Sequence, residues 1–473
     1  MTPHMTIGGE RAAARAHFAV INPATEENLD DAPACQRDQL DAAFEAALKA
    51  FPAWSNDEDT RLAMLSELAD RIVAAGPELV DLLVLETGKP RDLAEIEISA
   101  CKTWIDYAIA TELPRTFLAR DAHANIEMRH RPLGVVAAIL PWNFPIVMTI
   151  TKLAPALRVG NTMVIKPSPF TPFSSLRLGE IVNEVVPAGV VNFVSGGDEV
   201  GQWMTAHPTP RKVTFTGSIA SGKHVAVAAG ADLKRVTLEL GGNDAAILMD
   251  DIDVGPTADA VLARAFFNAG QACALPKRVF APAGLYDEVV DAFTAAAERV
   301  QLGASDGPLA MGPLSTRPQF RRICELVTDA DAHGVKATTG GGRADRPGFF
   351  FQPTILTGAS AGVRIVDEEQ FGPALPIIPY SNVDDATRMA NDTMFGLCGS
   401  VWGQDLERAT KVAERLECGV SYVNSHGVHR PSVPLMGSKW SGIGMEHGLE
   451  GMLEFTDPHV VFVAPRLTDT ALT

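Results

Sequence analysis

The chain has 473 residues, 46% of them hydrophobic and 21% charged, with a formal net charge of −18. That length exceeds what one hydrophobic core supports, so two or three domains are expected. A surface this acidic repels phosphate backbones and anionic bilayers, which argues against a nucleic acid or a membrane as partner, and no apolar run is long enough to span a bilayer.

Met1–Glu10 carries no apolar core of signal-peptide length. The first ~110 residues read as helical. Leu40, Phe44, Ala47, Leu48 and Phe51 recur at helical spacing, as do Leu62, Leu65, Ala69 and Ile72, and Gly76 offers a C-terminal stop. Residues 116–132 are polar and charged and end at Pro132, which marks an excursion from the compact body. From Gly134 the texture changes. Apolar, β-rich runs stand at Val135–Leu140, Met163–Ile165, Val190–Val194, Val213–Thr216 and Val236–Leu240, separated by helical segments such as Pro172–Val186 and Ser221–Ala229. Near-continuous apolar strands alternating with helices describe a parallel sheet covered on both faces. A second series follows Gly241, with strands expected at Ala245–Met249, Lys277–Ala281 and Leu375–Pro379, and Gly340–Gly342 reads as a loop. The fold class expected is α/β, with two doubly wound parallel-sheet domains.

Polar clusters sit where the first series of strands ends, and open parallel sheets bind ligands beyond those ends. Pro141-Trp142-Asn143-Phe144-Pro145, Lys166-Pro167-Ser168, Thr216-Gly217-Ser218 and Glu239-Leu240-Gly241-Gly242 close four of these five strands. The stretch from Gly217 to Gly222-Lys223-His224 approaches a P-loop, but His224 stands where that loop needs a hydroxyl for magnesium. A glycine turn before a helix can still cradle a phosphate; it is equally a plain tight turn. The GxGxxG dinucleotide fingerprint is absent from this turn.

Six cysteines, at 35, 101, 273, 324, 398 and 418, are scattered with no CxxC pair, which fits free thiols in a reducing cytoplasm and neither a disulfide framework nor a metal site. Cys273 ends Asn268-Ala-Gly-Gln-Ala-Cys273, just beyond a helical run at Val261–Phe267. A lone cysteine is usually a small buried hydrophobe. As a nucleophile it needs a base and an oxyanion partner. Glu239, at an apolar strand end beside two glycines, suits the first role, and the Asn143 amide suits the second. Their bland alternatives are a solvated strand-end carboxylate and a turn cap.

Taken together, these residues resemble the aldehyde dehydrogenase superfamily from Ile21-Asn22-Pro23-Ala24-Thr25 to Glu454-Phe455. The most specific matches are PWNFP at 141–145, FTGS at 215–218, ELGGN at 239–243, GQAC at 270–273, EEQFGP at 368–373 and Lys439-Trp-Ser-Gly-Ile-Gly444-Met-Glu446. The resemblance implies that Cys273 attacks the aldehyde, that the Asn143 amide and the Cys273 N–H hold the oxyanion, and that hydride passes to NAD or NADP. Glu239 then activates the water that hydrolyses the thioester, and Glu446 lies near the proton-exit route. It further implies that Trp142, Lys166, Ser168, Gly217, Ser218, Glu369 and Phe371 hold the cofactor. Phe144, Met148, Thr151, Ala274, His429 and Leu435 are placed by it along the aldehyde tunnel. The mostly apolar character of that set suggests a medium-sized aliphatic or aromatic aldehyde. The implied domains are cofactor-binding (1–112 and 133–240), catalytic (241–440) and a small β oligomerisation element (113–132 and 456–473) that pairs across subunits of a homodimer or homotetramer.

Three positions depart from the family pattern. Pro169 stands where NAD-preferring members often carry a glutamate, so a 2′-phosphate meets no repulsion there and NADP is expected to be tolerated or preferred. Met445 replaces a usual arginine. Thr151 precedes Lys152 where semialdehyde-specific members often have arginine. The competing readings are an acylating, coenzyme A-dependent relative, which Glu239 disfavours, a non-catalytic binding relative, a P-loop NTPase, and a cysteine hydrolase with no obvious histidine base.

Overall fold

The computed structural model describes residues 3–304, 306, 307 and 309–464. Five parallel strands stand where the apolar runs fall: Val135–Ile139, Thr162–Lys166, Val191–Phe193, Lys212–Thr216 and Arg235–Glu239. Four of them, all except Arg235–Glu239, are buried along their whole length, which is why their sequences do not alternate. Their spatial order is Val191, Thr162, Val135, Lys212, Arg235, so the winding reverses between the Val135 and Lys212 strands. The sheet is not purely parallel: Thr6–Ile7 with Glu10–Arg11 closes one edge and Gly442–Ile443 the other, all antiparallel.

The second sheet takes the order Lys336–Thr339, Thr354–Thr357, Ala374–Tyr380, Pro276–Pro282, Asp244–Leu248, Cys398–Trp402, Val420–Val423, parallel except for the first pair. Each sheet anchors its own core. One joins Val136, Val164 and Phe193 to Leu40, Phe44, Leu65 and Leu153; the other joins Ile247, Val279 and Ile377 to Phe293, Ile323 and Leu326.

The helical reading of the first ~110 residues holds from residue 37 on, through Arg37–Ser55, Glu58–Ala74, Gly76–Thr87 and Arg91–Ala110. It fails before that, where His17–Ile21 and Asn28–Pro33 pair as an antiparallel ribbon. The ribbon carries Asp30 and Asp31, residues of low strand propensity, and is held by backbone pairing and by Val20 and Ala32, which are buried against Phe173. Gly76 is not a stop: Ala75 ends one helix and Gly76 opens the next, with Pro77 in its first turn. The polar excursion and the tail pair with each other, Thr456–Val463 against Asn125–Pro132, with Thr116–Arg120 as the outer strand. This small sheet exposes Phe117, Leu118, Val460 and Phe462; residues 465–473 of the expected element lie outside the described residues.

The Phe173–Val185 helix, which follows the Lys166-Pro167-Ser168 turn, has no side-chain cap of its own. Glu86, fully buried, supplies one from another helix by accepting the Phe173 N–H at 2.7 Å and the Ser174 N–H at 3.0 Å. Glu86→Ala strands those donors away from water and is expected to cost about 2–3 kcal/mol. Urea unfolding should show this as a lower midpoint at unchanged slope, with Glu86→Gln less affected.

Candidate active site

The carboxyl ends of the first sheet meet the amino ends of the second. Glu239 ends one strand and Asp244 begins the next sheet. Cys273 precedes the Pro276 strand and Phe371 precedes the Ala374 strand. A cavity of about 1300 Å³ occupies this seam. Cys273, Glu239, Asn143 and Glu446 all line it, as do the seven residues expected around the cofactor and the six expected around the aldehyde.

Cys273 is presented by a forced turn. After the Val254–Ala265 helix, Asn268, Ala269 and Gly270 adopt left-handed φ values of 51°, 55° and 74° in succession. The first two lack glycine's freedom and store strain. A Cβ on Gly270 would lie 2.5 Å from the Gly372 backbone. Polar contacts fix the turn. The Asn143 side-chain amide donates to the Gln271 carbonyl at 3.0 Å, and the Asn268 amide donates to the Asn143 and Gln271 carbonyls at 3.2 and 3.3 Å. The Lys277 ammonium donates to the carbonyls of Cys273 at 2.5 Å and Ala272 at 3.0 Å.

Glu239 is 3% exposed, and neither carboxyl oxygen has a hydrogen-bond partner among the described residues. Burial, reinforced by the negative charge of Glu446, raises its pKa to about 8; Lys152 and the Cys273 thiol beside it pull the other way. The Cys273 thiol is itself pushed well up, first by burial and then by Glu239, against Lys277. Lys152 and Glu446, both buried, form an ion pair.

On one side of this centre, Lys166 ends its strand buried, donating only to the Pro167 carbonyl at 3.2 Å among the described residues; burial lowers its pKa to about 8, with Asp198 opposing. Ser168 accepts the Phe170 N–H at 3.3 Å. The Ser218 hydroxyl caps the Ile219–Ala231 helix by accepting the Ser221 N–H at 3.1 Å, which leaves Gly217 at the turn. Lys223 of the P-loop-like stretch sits over the Trp440 ring, 3.4 Å from its centroid. Trp142 and Phe371 meet edge to face at 5.4 Å. Glu369 accepts the Gly242 N–H at 3.0 Å and pairs with Lys277 at 3.2 Å. A buried lysine at one end and a half-buried carboxylate against two glycines at the other fit an elongated dinucleotide.

On the other side lies an aromatic channel. Phe144 stacks on Phe267 at 5.9 Å, and Met148 and Thr151 follow on the Pro145–Arg158 helix. Ala274 and Leu435 are buried, and Leu435 bridges to Glu446 through two backbone hydrogen bonds of 2.8 Å. His447 packs on Trp104 at 4.3 Å and on His429 at 5.9 Å. His429 opens onto the cavity yet lies deep enough that desolvation lowers its pKa to about 4, and burial also holds His447 well below the usual histidine range. Trp104, Phe267, Lys152 and Lys277 were not singled out from the sequence. Ile96, Ala100 and Trp104, which line the cavity from one helix at i, i+4, i+8 spacing, were the signal available.

The sequence pattern of the aldehyde dehydrogenase family matches residues 10–461. An aldehyde dehydrogenase of Fusarium, LUC3, is 37% identical over 98% of this chain and 99% of its own. Among solved structures, an NAD+ complex of aldehyde dehydrogenase from Bacillus cereus superposes with a TM-score of 0.95 at 34% identity, covering 98% of this chain and 97% of that one. An E. coli NADP-dependent enzyme superposes equally well, with a TM-score of 0.95 at 34% identity over 98% of each chain. Fold and seam thus define an α/β dehydrogenase. The chain belongs to the aldehyde dehydrogenase family, whose members oxidise aldehydes to acids with NAD(P).

Gly270→Ala pushes the turn off the Gly372 backbone and displaces Cys273. Turnover at saturating aldehyde is expected to fall about 10²-fold, the scale for ångström-sized misplacement of a reacting group, with circular dichroism unchanged.

Proposed function

We propose that this enzyme oxidises its aldehyde through a thioester on Cys273 that is hydrolysed with Glu239 as base. The observation that carries this is the buried Glu239 carboxyl, unpartnered by hydrogen bonds beside the Cys273 thiol. Ionised Glu239 takes the thiol proton, and Sγ adds to the carbonyl carbon. The resulting oxyanion faces the second N–H of the Asn143 amide, the first being held by Gln271, together with the Cys273 N–H. A bound nicotinamide supplies the hydride acceptor. Loss of hydride re-forms the carbon–oxygen double bond as a thioester. Glu239 then takes a proton from water, the hydroxide adds, and the carbon–sulfur bond breaks to release the acid. The Lys152–Glu446 pair beside Glu239 carries the proton away.

The first-sheet unit is the cofactor-binding domain and the second-sheet unit the catalytic one. Lys166 and Ser168 hold the adenosine ribose, Gly217 and Ser218 the pyrophosphate, and Trp142, Glu369 and Phe371 the nicotinamide ribose. Pro169 leaves the Lys166 loop without a carboxylate, so NADP is accepted. Phe144, Met148, Thr151, Ala274, His429 and Leu435 bound a tunnel for a medium-sized aliphatic or aromatic aldehyde. The apolar face of the three-stranded sheet joins subunits of a dimer or tetramer.

With benzaldehyde or hexanal, no added coenzyme A and either cofactor, 340 nm absorbance should rise, and Cys273→Ala should abolish the rise. A kcat/KM for NAD a hundredfold or more above that for NADP overturns the reading of Pro169. Because Glu239 acts as a base only when ionised, and its pKa stands at about 8, kcat should climb with pH and level off above that value. Glu446→Gln removes a charge that raises Glu239 and should move the limb to lower pH, whereas Lys152→Met should move it higher. Two shifts in the same direction overturn the assignment.

A further inference from the structure

Lys89 and Glu97 form an ion pair whose side chains are wholly buried, in a part of the chain that the mechanism above does not use. Taking a charged pair out of water is costly unless hydrogen bonds satisfy its remaining donors and acceptors. Here those bonds all point at the oxyanion side of the site. The Lys89 ammonium donates to the Asn143 carbonyl at 2.9 Å and lies 4.2 Å from the centre of the adjacent Phe144 ring. The second carboxyl oxygen of Glu97 accepts the N–H groups of Ile146 at 2.9 Å and Val147 at 3.2 Å, capping the Pro145–Arg158 helix, which has no cap of its own. The pair therefore grips the chain immediately before and after Phe144. A second path closes the loop: Ser315 donates its hydroxyl to the Thr87 carbonyl at 2.7 Å and its N–H to the Gln271 side chain at 2.8 Å, and Gln271 in turn accepts from the Asn143 amide.

We propose that Lys89, paired with Glu97, is a positioning residue that fixes the Asn143 backbone so that its side-chain amide meets the oxyanion at Cys273. This inference rests on the oxyanion role given to Asn143 above. The ammonium supplies a rigid donor where the Pro141–Phe144 turn has no regular secondary structure to hold it. Without it the Asn143 carbonyl keeps only the Asn268 amide among the described residues, and the turn can rotate its side chain away from Sγ.

The test is a double-mutant cycle in the full-length enzyme between Lys89→Met and Asn143→Ala. Lys89→Met should lower kcat about 10²-fold, the scale for loss of one oxyanion donor, while aldehyde KM and NADH affinity by fluorescence change less than threefold. In the Asn143→Ala background the same substitution should cost less than threefold, because residues acting through one contact are not additive. Lys89→Arg, which keeps a cation and donors, should recover part of the loss and serves in place of the methionine variant if that folds poorly. Equal losses in both backgrounds, or a loss carried by NADH affinity, overturn the positioning role and leave the oxyanion reading standing. An Asn143→Ala enzyme as active as the parent overturns the oxyanion reading itself and this inference with it.

Discussion

The chain passes from one sheet to the other in four residues, Leu240 to Asn243, and the site is built around that crossing. Every residue of it is pinned. The Leu240 N–H donates to the Ser441 carbonyl at 2.9 Å, and the Ser441 hydroxyl donates to Gly241 at 2.7 Å. A Cβ at Gly241 would strike the Glu369 carboxyl, and one at Gly242 would lie 2.8 Å from the Cys273 carbonyl oxygen. Asn243 donates to the Val366 carbonyl at 2.7 Å. Such a short connection forces the carboxyl ends of one sheet onto the amino ends of the other and leaves a seam between them. Glu239, the last residue before the crossing, is therefore buried at the contact and not solvated at a strand end.

That burial sets the electrostatics. A carboxyl without hydrogen bonds in a desolvated seam holds its proton. The charges around it are placed in compensating pairs: Lys152 with Glu446, and Lys277 with Glu369. Each pair joins segments distant in the chain, so the contacts that set acidity here also tie those segments together. Lys277 does both at once, reaching the Cys273 carbonyl and the Glu369 carboxylate.

The parallel strands could be seen in the sequence because burial on both faces writes an unbroken apolar run, as in Val135–Ile139 and in the Ala245–Leu248 part of Asp244–Leu248. Thr354–Thr357 and Cys398–Trp402 do not show in the sequence because threonines flank the apolar pair of one and Gly399 and Ser400 interrupt the other, and the half-exposed Asn28–Pro33 strand lacks any apolar pattern. Cys273, Glu239 and Asn143 stood out because their chemistry is unusual at apolar strand ends. Lys89 and Glu97 did not, since charged residues in helical surroundings normally face water, and only the tertiary fold reveals that Glu97 caps a helix beginning at residue 145.

The histidines at the far wall of the channel have a separate consequence. Desolvation lowers His429 to about 4 and holds His447 well below the usual histidine range, so both rings are neutral at physiological pH. The charge on this wall is the fixed one of the Arg264 guanidinium, which stands over the Phe267 ring, so across the physiological range a guest's partitioning follows its own ionisation, not the protein's. Acid–base control is confined to the seam, a few side chains away, so recognition and turnover respond to the medium independently of one another.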